Sequence, residues 1–452
     1  MVDVSELRDR LAGTVLEHSD LGFREELAGW VTTVEQNPDI VVGAATESDV
    51  LDAVRFARDN GLSVDVLSTG HGAEIPSGAD LIITTRRLVD IEIDPTTHIA
   101  TLGGGVRWRE VVAVAAPYGL TPIAGASTSV GAVGFLLGGG LGPLARSHGY
   151  ASDYVRGFTV VTGTGELLTV DATTNPDLFW ALRGGKTRLG VVTQVRVELV
   201  ELRTLYGGSL LFDAEAIAPV LRGWVDYTAT APAEVTTSVG IMRLPDFPDV
   251  PEPLRGHTVI ALRFAYAGDA AEGQHLAAPL RSLAPVLLDF VSEIPATAIE
   301  TIHNDPDEPG PGWVHGRMLT SIDQNFADTL LGLVGAEQQV PFVVVEVRHL
   351  GEATRRDVEG GSAVGGRNAG FTFALIGVPD PSLFADILPR AAQHIVDGLS
   401  PWMSPITNAN FASHRTIDDP PSAAWPPDIA ARLDTIRHQF DPDGEFVPSV
   451  FA

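Results

Sequence analysis

The chain of 452 residues contains no cysteine. That absence removes disulfides, thiolate nucleophiles, zinc–thiolate centres and iron–sulfur clusters together, because each needs cysteine sulfur. Positive charge is scarce: 30 Lys and Arg stand against 58 Asp and Glu, a formal net charge of −28. A surface of that sign repels polyanions, which argues against nucleic acid or an anionic membrane as partner. No stretch reaches the roughly 18 consecutive apolar residues of a membrane helix. The start, MVDVSELRDRL, lacks a basic region followed by an apolar one, so no export signal is expected and a cytoplasmic protein is the default. The P-loop, the G-x-S-x-G elbow and the H-E-x-x-H helix are missing. The glycines of GGGVRWREVVAVAAPYG, from residue 103, are bunched in a way that does not fit the dinucleotide fingerprint.

What is present is glycine, 47 residues of it, in clusters. Residues 46–67, TESDVLDAVRFARDNGLSVDVL, read as helix, stop and strand. Thr46 or Ser48 can cap, Val50, Leu51, Val54 and Ala57 form one apolar stripe, and Asn60-Gly61 supplies a left-handed stop. The strand runs into LSTGHGAEIPSG, which sets His71 between two glycines. A histidine there is either a solvated loop residue or one whose ring reaches something large. A second cluster, GLTPIAGASTSVGAVGFLLGGGLGPLARSHG, has glycines at 125, 131, 134, 138, 139, 140 and 142. Such density lets backbone amides approach a ligand and suits phosphate or pyrophosphate. Val130, Val133, Phe135, Leu136 and Leu137 set it apart from a flexible linker, so a buried, ligand-hugging loop is expected.

From about Tyr206 to Met403, strands alternate with amphipathic helices, the pattern of an antiparallel sheet with helices on one face. VVVEVRHLG is its most informative strand. Alternation puts Val344, Glu346, Arg348 and Leu350 on one face, and Val345, Val347 and His349 on the other. A charged pair in so apolar a run is either an ion pair holding the sheet or a functional pair. In the second case Glu346 acts as a base or orients a substrate, tuned by Arg348.

SDVLDAVRFARDNGLSVDV, GHG, AGASTSVGAVGFLLGGGLGPLARSHG, NPDLFWALRGG, LGVVTQV, NANF and RLDTIRHQFDPDGEFVP follow one another in an order that resembles the FAD-linked oxidases of the vanillyl-alcohol-oxidase (PCMH-type) superfamily, in the berberine-bridge-enzyme-like branch. The resemblance covers nearly the whole chain. It implies an α+β architecture: a PCMH-type FAD-binding domain of two α/β subdomains over residues 1–204, an antiparallel-sheet substrate domain with helices on one face over 205–404, and a terminal segment, 405–452, returning to the FAD domain.

It also implies that His71 bonds covalently to the flavin 8α-methyl. Ser68, Thr69, Gly70, Gly72, Ala73, Gly125, Ser127, Thr128, Val130, Gly131, Gly134, Phe135, Gly138, Gly139, Gly140, Leu141, Gly190, Val192 and Asn410 would line the cofactor. Ser127 stands where doubly linked members carry cysteine, so the link would be single. The usual RGGGGNFG is here RGGKTRLG, and Lys186 and Arg188 either contact phosphate or are solvated. Phe411 replaces the tyrosine that serves as base in several relatives, leaving Glu346, Tyr150, Tyr154 and His148 as substitutes near the pocket. The implied activity is an oxidase that passes hydride to flavin N5 and electrons to O2, acting on a small organic molecule in secondary metabolism. An oxygenase acting on a polyketide-like substrate and a non-catalytic small-molecule binder are the alternatives. Monomer and homodimer are both compatible.

Overall fold

The computed structural model describes residues 2–186, 188–246, 250, 252–412 and 424–447. Thr187, part of the proline-rich loop at 246–253, and the stretches 413–423 and 448–452 of the terminal segment lie outside the described residues.

The first sheet has the order Thr14–Glu17, Ile40–Gly43, Leu81–Thr84, Val64–Leu67, with the last three strands parallel. Helix Glu47–Asn60 makes the crossover into Val64–Leu67 and buries Val50, Ala53, Val54 and Ala57. Ala53 takes the place expected for Leu51, which is half-buried. Thr46 accepts from the Asp49 amide, and the Asp49 carboxylate accepts from the Thr46 amide, a capping box. The same carboxylate accepts from the amides of Ala12, Gly13 and Ala45, tying the N-terminal segment to the helix start.

A second sheet runs Ile91–Asp94, Ile99–Gly103, Val191–Glu198, Val155–Val161, Leu167–Val170, every neighbour antiparallel. Helices Trp108–Ala115 and Pro176–Leu182 bury Trp108, Val111, Phe179 and Trp180 in one core with this sheet.

The third sheet is the largest. Its central order is Thr204–Asp213, Thr258–Tyr266, Val235–Arg243, Phe342–His349, Phe371–Gly377, Val314–Leu319, all antiparallel. Helices Ile217–Thr228, Gln324–Val334 and Ile387–Gly398 cover one face, where Trp224, Phe326 and Leu388 bury Val345, Val347, Phe373 and Leu375. Each such side chain is worth about 1.5–3 kcal/mol on burial, which fixes the strand register because a one-residue slip would expose the whole set. Before the last of these helices, Asp380 caps a single 3₁₀ turn, Pro381–Leu383, so the α-helix itself starts at Ile387. Helix Ala270–Arg281 escaped the pattern because its composition is weakly amphipathic.

The chain then returns to the N-terminal half. Helix Pro427–Phe440 is preceded by Trp425, whose indole donates to the Gly184 carbonyl (3.0 Å), and carries Arg432, paired with Asp177 (2.8 Å). Beyond it the Val64 amide donates to Glu445 (2.7 Å) and the Val447 amide to Val64 (3.0 Å).

Candidate functional site

Strand Val64–Leu67 delivers the chain to Ser68, whose hydroxyl donates to the Gly104 carbonyl (3.3 Å). Gly104 in turn packs on the carbonyl of Val192, so the strand carrying Gly190 and Val192 supports this turn from behind. Gly70 has φ 72° and lies on the backbone of Gly29; a side chain there would be strained and would collide. The close approach puts Trp30 beside the turn, its amide donating to Thr69 (2.8 Å). The Trp30 indole stacks on the His71 imidazole, centroids 4.1 Å apart at 17°.

The His71 ring lies between two hydroxyls. Nδ1 is 2.9 Å from Thr69 Oγ1 and Nε2 is 3.1 Å from Ser129 Oγ, which is itself 2.7 Å from Ser127 Oγ. A hydroxyl can donate or accept, so the arrangement satisfies a neutral ring with one N–H and one lone pair. Burial first, then the cations Arg107 and Arg109, pull the His71 pKa down to about 4. Arg107 is held by the Ser129 carbonyl (2.8 Å). The His71 ring is therefore neutral and oriented at both nitrogens, on a turn where Gly72 faces open space.

The second glycine-rich segment closes over this turn. Gly131 rests on Thr69, next to Val130, and Gly134 also faces open space. Gly125 and Gly140 sandwich the Phe135 ring, which packs edge-on against Trp108. Phe135 thus supplies its carbonyl rather than its ring: it accepts from Asn410 Nδ2 (2.8 Å). Gly138 leaves room for the same Asn410 amide, which a Cβ would overlap, and Lys186 Nζ donates to Asn410 Oδ1 (2.6 Å). Burial lowers the Lys186 pKa to about 8. Gly139 and Gly140 both have positive φ, and Leu141 continues to the cavity described next. Thr128 reaches across to the third sheet's side, donating to the Glu300 carboxylate.

The uncovered face of the third sheet looks toward this segment. Cross-strand register aligns Ser238, Arg263, Arg348 and Thr372 in one row and Gly240, Glu346 and Ala374 in the next. Glu346 is almost wholly buried. Arg263 Nη1 donates to its Oε1 (2.7 Å), and Arg348 Nε to its Oε2 (2.6 Å). Burial alone would raise this carboxyl; Arg348 and Arg263 outweigh it and hold the pKa below its usual value. His303 Nε2 stands 3.6 Å from the same oxygen. Burial, then Arg348 and Arg263, keep His303 neutral. A small cavity between Leu141–Pro143 and this face is lined by Arg263, His303, Arg348 and Thr372. Asp305, two residues on, is accessible yet crowded by protein, as on a cleft wall, and burial pushes its carboxyl up.

The candidate bases separate in space. Tyr150 is wholly buried against Arg367 and Gly139, and burial pushes its phenol well up, which leaves it a packing residue. Tyr154 is half-buried with its pKa raised to about 12. His148 bonds Ser147 (2.7 Å) within its own turn. His349 lies on the helix-covered face, stacked on Phe371 and bonded to Arg146 (2.8 Å). Phe411 does reach the open face: its backbone packs on Gly316, and Arg348 stands 5.9 Å from its ring centroid. Of the two readings of Glu346, ion pair or functional group, the geometry has the ion pair, with Arg263 and Arg348. Trp30, Ser129, Arg263, His303 and Asp305 were not singled out from the sequence. Arg263 carried the same signal as Glu346, a charge inside the apolar run VIALRFAY; Trp30 carried none, since only the Gly29–Gly70 approach brings it in.

Comparison with known proteins matches residues 38–171 to the FAD binding domain family. (R)-6-hydroxynicotine oxidase of Paenarthrobacter nicotinovorans is 36% identical over 197 residues, 42% of each chain. The chain thus spans less than half the length of that curated relative. The crystal structure of 6-hydroxy-D-nicotine oxidase from Arthrobacter nicotinovorans superimposes with TM-score 0.81 at 24% identity, covering 96% of both chains. A berberine-bridge-enzyme-like protein of Physcomitrella patens gives TM-score 0.84 at 16% identity over 100% of this chain and 99% of that one. These likenesses establish the fold. Among the described residues no helix is long and apolar enough to cross a membrane.

Proposed function

We propose, for a chain with an FAD-binding domain in the fold of the berberine-bridge-enzyme-like oxidases, the activity of an FAD-dependent oxidase whose flavin is linked through His71. In this reading residues 1–204 hold the cofactor, 205–404 the substrate, and Asn410 of the terminal segment closes the flavin site. The observation that carries the reading is His71 itself: neutral, stacked on Trp30, and bonded at both ring nitrogens between two glycine-rich segments. A protonated imidazole has no lone pair with which to bond carbon; this one keeps it at neutral pH.

The residues fit the cofactor. Gly72 and Gly134 leave space beside His71, and the backbone of 68–73 and 125–141 offers amides to a pyrophosphate. Lys186 and Asn410 close one side, so the cation is a cofactor-side residue in this reading. Bound there, FAD would supply the acceptor for substrate hydride and the means of reducing O2 to hydrogen peroxide. The chain's own contribution is position and charge. The open sheet face presents Arg348, anchored by Glu346, toward the substrate, and Phe411 forms an apolar wall. With Glu346 ion-paired and Phe411 lacking a phenol, the substrate must give up its proton readily. A small aromatic molecule with an acidic group fits these demands.

Intact mass of the purified protein, with and without denaturation, tests the link. A mass increased by one FAD that persists on unfolding, and is lost in His71→Ala, is expected. Covalent flavin retained by His71→Ala would overturn the assignment. Anaerobic mixing with candidate aromatic substrates should bleach the flavin before oxygen is admitted, and peroxide should form afterwards.

A further inference from the structure

The open sheet face gathers Arg263, Arg348, Glu346 and His303 beside one cavity. Arg263 and Arg348 share one buried carboxylate, Glu346, and the Asp305 carboxyl, which burial pushes up, acts on both arginines from the cleft wall. Arg348 spends only its Nε on Glu346, which leaves the two Nη groups of its planar fork toward the cavity bounded by Leu141–Pro143. The His303 side chain is 5% exposed and lines the same cavity with neither ring nitrogen hydrogen-bonded among the described residues. Leaving a buried polar ring unpartnered is costly, and this one stands beside a cavity. Asn304, in the left-handed region at φ 52°, makes the turn that sets His303 inward and Asp305 at the cleft wall. Asp305 forms no hydrogen bond or ion pair among the described residues.

We propose that Arg348 and His303 form a subsite for an anionic oxygen of the substrate, a carboxylate or an ionised phenol or enol, with Glu346 as the residue that positions Arg348. The proposal deepens the oxidase reading and rests on it for the identity of the ligand as substrate. A guanidinium fork pairs with two oxygens or one delocalised oxyanion, and the neutral imidazole N–H donates a further bond. An ionised phenol or enol arrives already deprotonated, which accounts for a pocket in which Glu346 is committed and Phe411 has no proton to exchange.

The test is equilibrium dialysis of the purified protein as isolated with three aromatic probes: benzoate, 4-nitrophenol and the neutral benzamide. Benzoate is expected to bind about tenfold or more tightly than benzamide, the difference one charge-assisted fork supplies. Binding of 4-nitrophenol with growth of its phenolate band distinguishes a phenolate site from a carboxylate-only site. Arg348→Met should lower benzoate affinity about tenfold and leave benzamide binding and flavin content unchanged. Arg348→Lys, which keeps the charge but loses the fork, should lie between and serves if the methionine variant melts early. Benzoate binding no tighter than benzamide, or equal loss of both in the variants, would overturn the proposal. Dialysis needs no turnover and flavin content is read separately, so absent flavin would sink the oxidase reading without deciding this one.

Discussion

At the scale of single residues, half-buried His71 and buried Glu346 make opposite demands on charge. In the proposed flavin link His71 must be neutral to bond carbon, and its pKa of about 4 keeps it so. Covalent incorporation of FAD into the apoprotein is therefore expected to hold its rate from pH 7 down to about 5 and to fall only as pH approaches 4. An unperturbed histidine would lose half its neutral form near pH 6.5. Following the covalent fraction by intact mass across that range separates the two. Glu346 must stay ionised, because it balances two guanidinium groups. Glu346→Gln would leave them uncompensated and is expected to cost about 3–5 kcal/mol, the usual consequence of breaking a buried pair from one side. Urea denaturation of the apoprotein measures it. A general base would show the reverse, a lower kcat with stability unchanged.

At the scale of elements, the terminal segment docks by shape. Gly138 has no Cβ, and the Asn410 amide occupies the space that one would fill, between the Phe135 carbonyl and Lys186. Gly138→Ala is expected to push Asn410 out, break both bonds and weaken flavin retention; the ratio of flavin to protein absorbance after gel filtration in the H71A background reads this without the covalent link. Gly316→Ala would act similarly one step along, because its Cβ overlaps the Phe411 carbonyl. The two sheet faces explain why the site lies where it does. One carries Val345, Val347 and Phe373 and is sealed by helices; the other carries Ser238, Gly240, Arg263, Glu346, Arg348 and Thr372 beside the cavity.

At the scale of the whole molecule, buried histidines set the response to acid. His303, His315 and His349 are nearly inaccessible and hold their protons weakly, His315 and His349 only near pH 3. In the unfolded chain they titrate near 6.5. Between those limits the unfolded state binds more protons, so stability falls as pH drops below about 6.5, by at most on the order of 2 kcal/mol per histidine at pH 5. Asp153 and Asp441, whose carboxyls burial raises, work the other way. Tm is expected to fall between pH 7 and pH 5 in high salt, where surface repulsion is screened; a flat profile would mean these histidines are not held neutral.

The local rules wrote much of this molecule. Period-two alternation placed Glu346 and Arg348 together and His349 opposite them, because side-chain direction along a strand needs no tertiary knowledge. The capping of Glu47–Asn60, the glycine clusters and the singular His71 were legible for the same reason. What the sequence could not carry was the company each residue keeps across the chain. Arg263 meets Glu346 through cross-strand register, Trp30 meets His71 through a glycine contact, and Tyr150 turns inward because Arg367 and Gly139 wall it in. Residue chemistry and local backbone preference are fixed by covalent structure. Whether a carboxylate is a base or the anchor of two arginines depends on burial and long-range pairing, and those exist only once the strands have paired.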